Sequence, residues 1–236
     1  ELWQRSEALS CFLRMNCYNK KPLVIYGDKE IDIIVAMHAA LKVGIPYVPV
    51  DILYPVERLY KIANQVEAEL IINFSGKILD DDWKILNCIQ LEEIYNTFKD
   101  YISCKEQWVK EKSLCYILFT SGSTGEPKGV PISRENLQNF TNWFRMYVKD
   151  DCKVALNQVS YSFDVSVIAL YLCLPLKKKL LCLDKEMLKK DASLISGYLV
   201  DNRLDYWIST PSFLDYMLFL KVFSKDIKSI FVAGEK

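Results

Sequence analysis

The stretch Thr120-Ser121-Gly122-Ser123-Thr124-Gly125-Glu126-Pro127-Lys128-Gly129 holds the side chains of this sequence best suited to gripping a polyphosphate. Gly122, Gly125 and Gly129 permit backbone angles and close approaches denied to other residues. Successive backbone N–H groups in such a loop form a nest that binds anions. Thr120, Ser121, Ser123 and Thr124 add hydroxyl donors, and Lys128 adds a point charge. The loop is not a Walker A element, which requires Gly, four residues, then Gly-Lys-Ser/Thr; counting from Gly122, Pro127 stands where the second glycine belongs. A Gly/Ser-rich stretch could equally be a flexible linker. Its flanks, however, read as strands, so a loop held between two buried strands is expected.

The elements that must position this loop follow from periodicity. Residues 2–15 carry apolar side chains at helical spacing. Pro22 to Tyr26 reads as a buried strand ended by Gly27, and Asp28 is placed to cap a helix bearing Ile31, Ile34, Val35 and Leu41 and stopped by Gly44. His38, the single histidine, lies near that apolar face and is expected to be a packed helix residue, not a catalyst. Tyr47 to Val50 is a second strand. Pro55 can open a helix at its first position, and Glu69 to Phe74 is a third strand. Between Ser75 and Ser113 the pattern weakens, which marks a domain boundary or a surface excursion. Leu114 to Phe119 is an apolar strand feeding the loop. Val130-Pro131-Ile132 leaves it, and Ser133 can cap a helix through Leu137, Phe140 and Phe144. Strands at 180–183, 206–209 and 230–233 then alternate with helices at 192–200 and 213–220. Strand–helix alternation of this kind predicts an α/β fold of mostly parallel sheet flanked by helices.

Composition narrows the function classes. The 236 residues include 30 Lys+Arg and 30 Asp+Glu, so the formal net charge is zero and a basic footprint for nucleic acid is absent. The run Lys177-Lys178-Lys179 reads as a solvated turn. Eight cysteines contain no Cys-x-x-Cys pair, so no zinc or other metal site is expected. Several lie in apolar runs, where a free thiol acts as a small hydrophobe, and a reducing cytoplasm without disulfides is expected. The longest apolar run, Val167 to Leu176, is far short of the roughly 20 residues of a spanning helix. No membrane insertion is expected. Glu1 stands first in place of Met, and both ends look cut.

Tyr116 to Phe119 followed by the loop and Val130 resembles the signature of adenylate-forming enzymes, which include acyl-CoA synthetases, luciferases and the adenylation domains of peptide synthetases. Four further segments agree in order: Leu41 to Asp51, Phe163-Asp164-Val165-Ser166, Gly234-Glu235, and Glu1-Leu2. The resemblance covers essentially the whole chain, least in 75–113. It implies the large amino-terminal domain of such an enzyme, built of αβ-sandwich subdomains and only partly contained in 1–236. ATP with Mg²⁺ would be the cofactor, bound by Thr120, Ser121, Gly122, Ser123, Thr124, Gly125, Lys128, Gly234 and Glu235. No catalytic residue is expected in this segment: the family's adenine-binding stretch, ribose-binding aspartate and catalytic lysine would lie beyond Lys236, and 1–236 alone would not complete adenylation.

In amino-acid-activating members the aspartate at position 164 binds the substrate ammonium, since a buried ammonium needs an opposite charge. Asp164 could also cap a helix with Ser166 nearby, and the two roles are compatible. Ile168, Ser209 and Ala233 align with the side-chain pocket, or serve as ordinary core. Leu156-Asn157-Gln158, Tyr161 to Val167, Asp184 to Met187 and Trp207 to Phe213 look like the D-alanine:D-alanyl-carrier-protein ligases of Gram-positive cell walls. Those enzymes pass the aminoacyl group to a phosphopantetheine thiol on a carrier protein. They usually carry cysteine where Ala233 stands, and a smaller residue there could relax chirality or admit a larger side chain. The alternatives are a peptide synthetase adenylation domain for another amino acid, an acyl or aryl ligase using coenzyme A, and a non-catalytic nucleotide-binding relative.

Overall fold

The computed structural model describes residues 1–17, 19–80, 82–121 and 125–234, with the side chains of Ser121 and Leu172 left aside. Its chain forms two compact units, Glu1–Leu137 and Gln138–Lys236.

In the first unit, α1 (Leu2–Asn16) leads to β1 (Leu23–Gly27), α2 (Ile31–Lys42), β2 (Tyr47–Asp51), α3 (Val56–Gln65) and β3 (Leu70–Asn73). Then come β4 (Lys84–Leu86), α4 (Cys88–Thr97), β5 (Leu114–Ser121) and β6 (Pro127–Ser133). The six strands lie in the order β4-β3-β1-β2-β5-β6, all parallel except the β5/β6 hairpin. β1, β2 and β3 are buried at every position, as parallel strands covered on both faces must be. On one face Val24, Tyr26, Val48, Val50 and Ile71 pack with Leu59, Ile62 and Ala63 of α3. On the other, a Cβ on Gly27 would lie 2.6 Å from Ile33 Cδ1, so α2 sits against the strand end there. α1 packs on α2 and α4. Between them Lys42 Nζ donates to Glu7 Oε1 at 2.9 Å and to Ser6 Oγ at 2.7 Å, a buried ion pair joining the two helices.

α5 (Arg134–Phe144) leads into the second unit. There follow β7 (Val154–Asn157), α6 (Ser166–Ile168, continuing as a wider helical turn over Ala169–Cys173), β8 (Lys179–Cys182) and α7 (Lys185–Leu188). α8 (Ala192–Asp201), β9 (Tyr206–Ser209), α9 (Pro211–Phe219) and β10 (Ser229–Val232) complete it. Its four strands are parallel, in the order β10-β9-β7-β8. Ala155, Tyr206 and Ile208 face one core with Phe144, Ile168 and Cys173. Leu156, Leu181 and Trp207 face a second core with Ile195, Leu199 and Met217. The mixed α/β class with mostly parallel sheets is as expected.

Local expectations need correction at four places. Asp28 does not cap α2: the cap position is Glu30, whose carboxylate instead accepts the Asp28 N–H at 2.8 Å. Pro55 occupies the cap position and Val56 opens the helix. Residues 75–113 lie within the first unit and hold β4 and α4. β4 is only three residues long and charged residues flank α4, although Asn87 and Gln90 form a reciprocal capping box. Val130 to Ile132 belongs to β6, an antiparallel strand mostly exposed or half-buried, so only β5 supplies a buried flank.

Candidate active site

The glycine-rich loop connects β5 to β6 at the carboxyl end of β5, the edge where open parallel sheets bind ligands. Thr120 pairs with Lys128 across the hairpin and Ser121 with Pro127, and the Thr120 hydroxyl donates to the Lys128 carbonyl at 3.4 Å. Thr120 and Lys128 are both exposed. Among the described residues the Lys128 ammonium makes no hydrogen bond or ion pair. Gly125 adopts φ +83°, a left-handed conformation that favours glycine. Gly129 is needed for a different reason: a Cβ there would lie 3.0 Å from Phe119 Cζ and 3.1 Å from Ile117 Cγ2. Lys61 of α3 pairs with Glu126 at 2.7 Å and ties down the outer limb of the loop, a contact with no signal in the sequence. Gly122, Ser123 and Thr124 lie outside the described residues, as does Glu235.

Asp164 stands on the loop that leaves β7. In the second unit β8 pairs with one side of β7 and β9 with the other, so the chain reverses its winding direction between β7 and β9. Loops diverge at such a switch point and open a crevice at the carboxyl edge. Asp164 is exposed. Val165, not Asp164, occupies the cap position of α6. The Asp164 backbone carbonyl accepts the Val167 N–H at 3.0 Å, while its carboxylate has no partner among the described residues. The capping alternative is therefore not realised, and Ser166 donates its hydroxyl back to the Phe163 carbonyl at 2.7 Å.

Three further candidates gather near Asp164. A Cβ on Gly234 would lie 3.3 Å from Val165 Cγ2 and 3.8 Å from Thr210 Cγ2, which draws the loops after β7, β9 and β10 together. Ile168 is buried in the core that includes Ile208, and Ala233 packs against that core. Ser209 stands apart. Side chains alternate along a strand, so it shares the face of Trp207, opposite Ile208. Its hydroxyl accepts the Trp207 indole N–H at 2.8 Å and donates to the Thr210 carbonyl at 2.9 Å, which takes up its one proton and one of its two lone pairs. Gln158, at the end of β7, has a buried side-chain oxygen without a partner among the described residues. Buried orphans of this kind are rare and call for a donor.

Burial keeps several other titratable groups uncharged near pH 7. His38 is pushed down to about 4, first by burial and then by the Lys42 charge, so its ring is neutral near pH 7. Burial pushes Cys17 and Cys115 up to about 11 and Cys173 to about 12. All eight cysteines are free thiols. No described helix is long and apolar enough to cross a membrane, and the described residues contain no cluster of three His, Cys, Asp or Glu able to hold a metal.

Parallel sheets carrying a glycine-rich hairpin on one carboxyl edge and an uncapped carboxylate on another define an α/β ligand-binding architecture. The chain belongs to the AMP-binding enzyme family, which it matches over residues 1–236. It is similar to the D-alanine–D-alanyl carrier protein ligase of Bacillus velezensis, with 37% identity over 230 residues, covering 96% of this chain and 45% of that protein. The Staphylococcus epidermidis ligase of the same name is 36% identical over 223 residues, covering 92% and 45%. The chain thus spans about half the length of the curated relatives it matches. Among solved structures, the nonribosomal peptide synthetase FmoA3 matches the whole chain with a TM-score of 0.81 at 17% identity, covering 25% of that protein. This last likeness speaks to the fold alone.

Proposed function

We propose that this chain is the amino-terminal part of a ligase that activates an amino acid, D-alanine, as an aminoacyl adenylate and passes it to the phosphopantetheine thiol of a carrier protein. The relatives' names support the substrate and the partner. The observation that carries the reading is the Asp164 carboxylate, which has no partner among the described residues and stands at the switch point of the second sheet.

In the first step a substrate carboxylate oxygen bonds to the α-phosphorus of ATP, and pyrophosphate leaves with the electrons of the broken P–O bond. Two anions must approach, so the protein's contribution is positioning and charge neutralisation. The hairpin N–H groups and the Lys128 ammonium, unpaired among the described residues, suit the β- and γ-phosphates, as would the Thr120 hydroxyl on leaving the Lys128 carbonyl, and Mg²⁺ would supply further charge neutralisation. Asp164 would pair with the ammonium and aim the carboxylate. In the second step the carrier thiol, losing its proton, attacks the acyl carbon and AMP leaves. A cytoplasmic location suits the supply of ATP.

One observation favours a second reading. Ala233, smaller than the expected cysteine, packs against the core that includes Ile168, and added space there would suit an adenylation domain for a larger amino acid.

The reading is tested with Asp164→Ala in the full-length protein. Aminoacyl-adenylate formation should fall about 100-fold or more, the order expected when a substrate ammonium enclosed on binding is left without its counter-charge, while ATP binding stays within about twofold. Equal activity of the variant would remove Asp164 from the substrate site.

A further inference from the structure

The first unit contains a second cleft, far from the phosphate loop. It has a volume of about 340 Å³, near the lower end of small-molecule sites. Its walls come from the end of α2, the segment entering β5, and the residue that follows β6. All three lie at the amino edge of the sheet. β5 runs eight residues from there to the glycine-rich hairpin, a separation of about 25 Å at the usual rise of a strand.

The cleft combines aromatic surface with positive charge. Trp3 and Trp108 meet edge to face with ring centres 5.9 Å apart. Lys42 Nζ lies 3.5 Å from the Trp3 ring centre, and its charge is balanced from beneath by Glu7. Lys105, Lys110 and Arg134 are exposed on the wall. The Arg134 guanidinium is steadied by one hydrogen bond to the Val109 carbonyl at 3.2 Å, leaving its other donors unused. Among the described residues neither the Lys105 nor the Lys110 ammonium makes a salt bridge or hydrogen bond, although both backbone carbonyls accept one. Glu106 and Glu111 neighbour them in sequence, but no carboxylate lines the cleft. Neutral His38 supplies one donor and one acceptor at the floor. Three exposed wall cations, none in a salt bridge among the described residues, beside two indoles packed edge to face, form a site for opposite charge attached to a flat ring.

We propose that this amino-edge cleft binds a planar organic anion, an aromatic or heteroaromatic ring bearing a phosphate or carboxylate, with the ring against Trp3 and Trp108 and the anion at Lys105, Lys110 and Arg134. The inference is independent of the proposed function and concerns none of the residues named for it.

The test is calorimetric titration of the full-length protein with phenyl phosphate, inorganic phosphate and phenol, repeated on Lys105→Met/Lys110→Met. Both lysines are exposed and only their backbone carbonyls are hydrogen-bonded, which Met preserves, so the fold should survive, as an unchanged Tm would show. Phenyl phosphate should bind one to one, about fivefold or more weakly to the double variant. Inorganic phosphate and phenol should each bind at least tenfold more weakly than phenyl phosphate. Absence of binding, binding unchanged in the double variant, or inorganic phosphate binding as tightly as phenyl phosphate would each overturn the proposal.

Discussion

At the scale of single residues, the candidates divide by whether the fold has already used their polar groups. Asp164 and Lys128 have charged ends with no internal partner among the described residues. Ser209 has both hydrogen-bonding roles of its hydroxyl occupied by Trp207 and Thr210. Ser209→Ala should therefore act on stability. The Trp207 N–H would lose its buried acceptor, at a cost of about 1–3 kcal/mol, read as a lowered urea midpoint with amino-acid preference unchanged. A changed preference without loss of stability would return Ser209 to the substrate pocket. The glycine-rich loop and Asp164 were legible because their chemistry depends on residue type and spacing. The occupation of Ser209 was not, because it depends on which face of β9 the side chain takes and on a partner only two residues away.

At the scale of elements, the α1–α2 junction rests on the Glu7–Lys42 pair, both side chains at most 5% exposed. Burial drives the Glu7 carboxyl up, but hydrogen bonds from Lys42 and Ser103 outweigh it and hold its pKa below the usual carboxylate range. Lys42→Met would strand that carboxylate and should cost about 3–5 kcal/mol in denaturant unfolding. Glu7→Gln combined with Lys42→Met should recover much of the loss, and a double variant as unstable as the single one would contradict a charge-pair origin.

His38, on the same helix, sets a pH dependence. Unfolded, it takes up a proton below about 6.5; folded, only near 4. Its contribution is therefore complete above pH 6.5 and is lost as the pH falls towards 4, by up to about 3 kcal/mol. Urea midpoints at pH 7.5 and 5 should differ less in His38→Gln than in the parent; equal differences would refute the assignment. The long elements were readable because period and length agree. β4 escaped because it is three residues long and α4 because charged residues flank it, while β6 reads as a strand but wrongly as a buried one. Pairing of β6 with β5 is a tertiary fact that a local pattern does not contain.

At the scale of the whole molecule, balanced charge and two open parallel sheets put recognition at the strand ends. The strand–helix alternation announced that architecture in the sequence. The strand order, and with it the switch point beside Asp164, did not follow from alternation, because the same run of elements can wind to either side of its first strand. The amino-edge cleft was equally hidden, since its walls come from positions as distant as Trp3 and Arg134.

The central claim is amino-acid activation, and ATP–pyrophosphate exchange on the full-length protein tests it most directly. D-alanine, L-alanine, glycine, serine and larger amino acids would be assayed in parallel. The account predicts strong exchange with D-alanine and weaker exchange with the others. Exchange with a larger amino acid alone would keep the chemistry and move the substrate to the second reading. No exchange with any amino acid would contradict the account.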